Sequence, residues 1–384
     1  MTHDRYDSRS SIVAAILLSF IATGGFLILP LLVAAAAADF QLSEARVGLL
    51  ATAVMGGAAV SSAVALLWIR LVNWRRATLV SVLLILAGHI GCLFTSRADV
   101  LTVLLLLTGL GGGAAYSIAL TVLADEPKAA RYFGFSVAAQ VSFQVVGMLL
   151  LPAFTEAHGF AAVLVLLLVL DVVGLFLSAL LPPRGLLSPQ RVRHGPLLRV
   201  PAVLALLGCF MFFFNVGAVW AFIERMGSAA GLAPDFIGLS LAVGVSFGIP
   251  GALAGSWCDD RFGQIVPLTL GSVIMLGSIA LLSMSLTGPA YMVALALYNF
   301  SWNFCLTFQY AAVQRVDDSG RGVAVAPAFH GFGAAAGPLI AALYVTRESY
   351  QSVLILAIVG IVGSLLLFVI AWQRGTSRPA TVAC

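Results

Sequence analysis

Residues 236–286 read FIGLSLAVGVSFGIPGALAGSWCDDRFGQIVPLTLGSVIMLGSIALLSMSL. Two apolar runs, 236–257 and 265–286, flank a short turn, Cys258 to Gln264, that holds Asp259, Asp260 and Arg261. Each run reaches the ~20 residues that a helix needs to cross a bilayer core, and the charged turn is long enough only to reverse the chain. This pattern is a membrane hairpin, and working outward from it the same pattern repeats. Apolar runs broken by charged or turn residues predict twelve spans, at 11–37, 45–69, 77–95, 99–123, 132–154, 159–181, 200–223, 236–257, 265–286, 289–311, 322–345 and 351–373.

Composition closes off the other classes. Hydrophobic residues make up 61% of the 384 and charged residues 9%, whereas a soluble domain carries about 25% charged residues. Twelve spans of about 20 residues use nearly the whole apolar content, which leaves no length for a soluble catalytic domain or a nucleic-acid module. The fold class that follows is an all-α integral membrane protein. The N-terminal MTHDRYDSRS is polar, and the apolar run behind it has no small-residue cleavage site, so it reads as a retained first helix. Cys92, Cys209, Cys258, Cys305 and Cys384 are scattered without a CxxC pair or metal-ligand spacing. No disulfide, metal or other cofactor is expected, and no GxxxxGK[ST] loop offers direct ATP drive.

Orientation and organisation follow from the connectors. With the N-terminus inside, sixteen of the twenty basic residues fall on the cytoplasmic side and only Arg46, Arg97, Arg225 and Arg347 fall outside. Both termini are therefore expected in the cytoplasm of a cell inner membrane. The longest connector, PPRGLLSPQRVRHGPLLR at 182–199, has linker composition and lies mid-chain. A shift of 190 residues places Gly48-Leu49 on Gly238-Leu239, Arg131 on Arg321, Gln140 on His330 and Gly147 on Gly337. Together these predict a six-plus-six duplication, with an N-terminal bundle at 1–181, a linker at 182–199 and a C-terminal bundle at 200–384.

The stretch Ser256-Trp-Cys-Asp-Asp-Arg-Phe-Gly-Gln264 resembles the loop signature of the major facilitator superfamily, a Gly, three residues, then Asp-Arg-x-Gly-Arg. Asp260, Arg261 and Gly263 match it, while Ser256 and Gln264 replace the leading Gly and the final basic residue. The first-half counterpart, Ile69-Arg-Leu-Val-Asn-Trp-Arg-Arg76, keeps the Arg75-Arg76 pair and lacks the Asp. The resemblance covers essentially the whole chain. It implies two six-helix bundles related by a pseudo-two-fold axis around a cavity that opens alternately to each side. It also implies a working monomer and a cytoplasmic gate built from Asp260, Arg261, Gly263, Arg75 and Arg76. A charged loop that is merely solvated is the alternative for those residues. The Gly-Pro signature of exporters is absent from span five. A Gly333-Ala-Ala-Ala-Gly337-Pro338 ladder stands on span eleven instead, which tilts the reading toward uptake.

Few ionisable residues lie deep in the spans, and each is a functional suspect because burying it in a membrane is costly. Asp171 is mid-way along span six. His89 lies about 12 residues into span three, roughly 18 Å deep, and Asp171 about 10 residues from the end of span six, roughly 15 Å. The two depths predict a His89–Asp171 contact, either a proton carrier or a structural hydrogen-bonded pair. His330 on span eleven is the leading candidate for proton coupling, since histidine changes charge near physiological pH, with a packing role as the alternative.

The resembled fold lines its cavity mainly with spans one, four, seven and ten, helped by two, five, eight and eleven. The polar and aromatic residues there are Tyr116, Gln140, Gln144, Asn215, Trp220, Asn299, Trp302, Asn303, Gln309 and His330. Amides in a dry bundle each need a partner, which marks them as a substrate-binding set. No Arg or Lys lies in mid-span. The expected substrate is therefore a small organic molecule, aromatic or amphipathic, neutral or weakly charged. The expected function is secondary active transport, proton-coupled and directed inward, with lipid and a proton as further partners and no nucleic acid. A proton-antiport exporter is the alternative, and a non-transporting sensor a remote one. An enzyme would need a clustered nucleophile, base or metal set that the scattered His and Cys do not supply.

Overall fold

The computed structural model describes residues 8–185, 197–259, 261–284, 286–317, 319–344 and 350–376. Asp260 of the expected gate, residues 186–196 of the expected linker, and Cys384 lie outside these. All regular structure among the described residues is helical: α1 (Ser8–Leu27), α2 (Leu29–Phe40), α3 (Glu44–Trp68), α4 (Trp74–Phe94), α5 (Ala98–Ala124), α6 (Ala129–His158), α7 (Phe160–Ser178), α8 (Val200–Ala229), α9 (Pro234–Ser246), α10 (Gly248–Cys258), α11 (Ile265–Ser283), α12 (Gly288–Val316), α13 (Gly322–Ala342) and α14 (Gln351–Thr376). A helix satisfies its own backbone, which hydrocarbon cannot do.

Eleven stretches of the described chain are long and apolar enough to cross a membrane. The expected tenth span is α12, which at 29 residues is long enough but is diluted by Asn299, Ser301, Asn303, Thr307 and Gln309. Two expected spans are interrupted. The first breaks at Ile28, ahead of Pro30, so that α1 and α2 are separate helices. The eighth breaks at Phe247, three residues before Pro250, into α9 and α10. In both, the proline lacks an N–H to continue the ladder and its ring crowds the carbonyl one turn back, which favours a break there.

The chain divides into two compact units. The first comprises Met1–Pro127, Ala139–Gly195 and Val323–Ala328; the second comprises Lys128–Ala138, Pro196–Gly322 and Phe329–Cys384. The first turns of α6 thus cluster with the second unit and the first turns of α13 with the first.

In the first unit α5 is the hub, packed against α1, α3 and α4. Its Gly111-Gly112-Gly113 run explains how. A Cβ on Gly111 would stand 2.6 Å from the Ser81 carbonyl oxygen of α4, one on Gly112 2.5 Å from that of Ala22 on α1, and one on Gly113 2.3 Å from that of Ala58 on α3. Consecutive helix positions point about 100° apart, so three glycines admit three neighbours at backbone contact. At the α6–α7 turn, Gly159 adopts φ +61, a conformation suited to glycine. Its open side admits the Asp39 carboxylate, which accepts the Phe160 N–H at 2.8 Å and caps α7, where negative charge is favoured.

In the second unit α12 is the hub, packed against α8, α9, α10, α11 and α14. The Gly333–Gly337 ladder of α13 lies against α8. Cβ atoms there would stand 2.2 Å from the Phe210 and Phe214 carbonyl oxygens, and Gly217 of α8 reciprocates toward the Ala334 carbonyl. Large apolar side chains such as Phe94, Phe176 and Leu339 are exposed, as a lipid-facing surface requires.

Candidate functional site

A polar–aromatic cluster in the second unit is built by α8, α12 and α13. His330 is 5% exposed, and its ring is held from three directions. Phe213 of α8 stacks on it with centroids 4.1 Å apart. The His330 Nε2 lies 3.2 Å from Gln309 Oε1, and its Nδ1 lies 3.5 Å from the Tyr310 hydroxyl. One tautomer satisfies both contacts: the Nε2–H donates to the Gln309 carbonyl oxygen, and the Tyr310 hydroxyl donates to Nδ1. Edge-on rings extend the cluster outward, Phe213 to Trp302 at 5.9 Å and Trp302 to the half-exposed Trp220 at 6.1 Å. Phe133, from the α6 segment of this unit, covers Tyr310 at 5.4 Å.

Two donors in the cluster lack protein partners. The Trp302 Nε1 and Gln309 Nε2 are buried and unbonded, although Gln309 as a whole is fully buried. An unsatisfied buried polar group costs about 1–3 kcal/mol. Trp302 and Gln309 are seven residues apart, two helical turns, and so share a face of α12.

Of the residues expected in the substrate set, Trp220, Trp302, Gln309 and His330 are thus brought together. The amides of Asn215, Asn299 and Asn303 are engaged elsewhere. Asn215 is fully buried, its Oδ1 accepting from the Tyr298 hydroxyl at 3.1 Å and its Cβ lying against Gly360 of α14. Asn299 and Asn303 donate to carbonyls one turn back on their own helix, Leu295 at 3.0 Å and Asn299 at 2.9 Å. Tyr116 and Gln140 belong to the first unit, where the Gln140 amide donates to the Tyr116 hydroxyl at 3.4 Å. Gln144 is half-buried.

Elsewhere in the first unit, His89 Nδ1 lies 2.6 Å from Asp171 Oδ2, so the pair matched by depth does meet. Of the expected gate, Asp260 lies outside the described residues. Arg261 stacks over Trp257, 5.1 Å from the ring centre, and Gly263 adopts φ +65 in the turn. Arg75 donates from Nε to the Leu181 carbonyl, and the Arg76 N–H is capped by Asn73. Sequence reasoning missed a bidentate ion pair, Arg70 to Asp125 at 2.7 and 2.8 Å. Its only sequence signal is one basic and one acidic residue, each just past the end of a span.

Comparison with known proteins agrees with this architecture. The family model described as Major Facilitator Superfamily matches residues 14–319. Among solved structures, the transporter FucP in the outward conformation is similar with TM-score 0.77 and 13% identity, covering 97% of this chain and 100% of its own. A bacterial homologue of the iron transporter ferroportin, outward-facing with soaked iron, gives 0.72 and 13% over 97% and 100%. The proton:xylose symporter XylE gives 0.71 and 13% over 95% and 94%. At such identity these likenesses carry the fold alone. No curated protein matches the sequence.

Proposed function

The chain belongs to the major facilitator superfamily, a family of secondary transporters and not of enzymes, and on that premise we propose that it takes up a small aromatic or amphipathic solute together with a proton. The membrane is the cell inner membrane, both termini are cytoplasmic, and the monomer is the working form. The observation that carries this reading is the buried chain Tyr310–His330–Gln309, with Phe213 stacked on the His330 ring and Trp302 packed edge-on to Phe213. Aromatic rings supply a face for a flat or greasy solute, and the absence of Arg and Lys from the cluster disfavours strongly anionic ones.

His330 supplies the coupling chemistry. In the neutral tautomer Nδ1 accepts from Tyr310. A proton arriving at Nδ1 makes the ring a double donor, so the Tyr310 hydroxyl must turn to accept and its own proton must find another partner. Proton and solute occupancy then act on one hydrogen-bonded chain, which gives coupling a physical basis. The direction assigned is inward, supported by a glycine ladder on α13 and the missing Gly-Pro signature on α6.

A second site has its own observation in favour. His89 and Asp171 are 3% and 1% exposed and form a contact able to hold a proton. Liposomes containing the purified protein and an internal pH dye separate the two. A pool-specific pH change lost in His330→Ala and kept in Asp171→Asn supports the His330 assignment, and the reverse moves coupling to the pair. Uptake of a labelled pool with no pH change leaves a transporter and rejects proton coupling.

A further inference from the structure

The donor and acceptor inventory of the α8–α12–α13 cluster narrows the solute further, resting on the proposed transport role of this site. Gln309 spends its oxygen on His330 and keeps a buried amide NH2 without a partner. Trp302 is a donor only, and its N–H is buried and unpartnered too. Both groups left unsatisfied in the cluster are therefore donors. They present the positive ends of their N–H dipoles, beside the rings linked by the contacts Phe213–His330, Phe213–Trp302 and Trp220–Trp302.

Two solute classes compete for an aromatic cluster. An organic cation gains from ring faces, but here it would meet two unpartnered N–H dipoles with no carboxylate in the cluster to balance them. A molecule bearing carbonyl or similar acceptor oxygens satisfies both donors and stacks on the rings. We infer that this site selects uncharged aromatic compounds carrying two hydrogen-bond acceptors, one for Trp302 and one for Gln309, and rejects aromatic cations. The residue spacing sets the scale. Seven residues at 1.5 Å rise put the two Cα atoms roughly 10 Å apart along the helix, so acceptors at opposite ends of a two-ring system fit.

Equilibrium dialysis of the purified protein in nanodiscs tests this with three probes of one ring system: naphthalene, 2,6-diacetylnaphthalene and 2-naphthyltrimethylammonium. The diacetyl compound is expected to bind at least about tenfold tighter than either of the others, the scale of one or two good hydrogen bonds. Trp302→Phe keeps a ring and removes the N–H. Gln309→Glu keeps an oxygen for His330 and removes the amide donor. Each is expected to cut the diacetyl advantage over naphthalene several-fold, and because that advantage is a ratio of two probes on the same variant, any loss of folded protein cancels from it. Gln309→Glu is further expected to improve cation binding.

Cation binding equal to or tighter than diacetyl binding in the wild type overturns the inference, as does a diacetyl preference that survives both substitutions. Selective binding with no uptake into liposomes would uphold the inference and remove the transport role from this site. Uptake with no selectivity would do the reverse.

Discussion

His89 and Asp171 touch through a single 2.6 Å contact between Nδ1 and Oδ2, with both residues almost wholly buried. They come from α4 and α7, which pack together in the first unit. Removing one member of such a pair strands a polar group in an apolar bundle, at a cost of about 3–5 kcal/mol where the partner is charged, whereas replacing both by apolar residues is often neutral. His89→Leu and Asp171→Leu are each expected to lower the thermal unfolding midpoint in detergent. The double variant should recover most of the loss. A double variant as unstable as the sum of the singles would mean that the contact carries no coupling energy.

Arg70 and Asp125 form the bidentate pair of the same unit, with Trp74 beneath the guanidinium at 5.4 Å. Gly185 closes over them, and a Cβ there would stand 2.5 Å from Arg70 Nη1 and 2.6 Å from Asp125 Oδ2. Lysine cannot reproduce a two-pronged contact. Arg70→Lys is expected to destabilise measurably, and Gly185→Val to do so more, since it pushes directly on the pair. Unfolding midpoints compared with Arg76→Lys, whose side chain is exposed, check this; equal midpoints for all three would reject it.

The α8–α13 approach gives a sharper contrast between glycines. Gly337→Ala would place a methyl 2.2 Å from the Phe214 carbonyl oxygen, whereas Gly277 on α11 has nothing within 4 Å. Gly277→Ala is expected to be neutral or to stabilise by up to about 1 kcal/mol through helix propensity. Gly337→Ala is expected to destabilise and to disturb the neighbouring His330 contacts. Transport and unfolding measured on both variants decide the matter, and a neutral Gly337→Ala would show that the helices can part freely.

Glu126 lies in the connection between α5 and α6. Burial, and then the neighbouring Asp125 charge, raise its carboxyl above the usual 4.5. A carboxyl whose folded-state value is raised favours the folded state only while protonated. Its contribution is present at low pH and is lost as pH rises through the raised value. Glu126→Gln is therefore expected to stabilise the protein at pH 7, with the gain shrinking toward pH 4. Unfolding midpoints of wild type and variant across that range provide the check, and a gain that grows on acidification would contradict the assignment.

Much of this architecture is legible in the linear pattern because a bilayer imposes so strict a rule. Backbone polar groups in hydrocarbon must pair within the segment, so any long apolar run between charged turns has one solution. Even the His89–Asp171 contact follows from depth, since a span is a ruler of fixed rise. The breaks at Ile28 and Phe247 were signalled by Pro30 and Pro250, yet proline inside α6, at Pro152, leaves that helix continuous. Whether a proline breaks a membrane helix depends on what its neighbours offer the freed carbonyl, which the local sequence does not contain.

The chain order of apolar runs, polar turns and glycines therefore determined a helical membrane protein and the residue types available to its interior. The tertiary structure alone decided which of those residues meet. Asn215, Asn299, Asn303 and Gln309 are all buried amides within spans, and nothing in the sequence separates them. Packing turns Asn215 toward Tyr298 and Gly360 and folds Asn299 and Asn303 back onto their own helix, while Gln309 reaches His330. An amide's partner is set by rotation of its helix about its own axis and by rotamer choice, and both are fixed by neighbours distant in sequence.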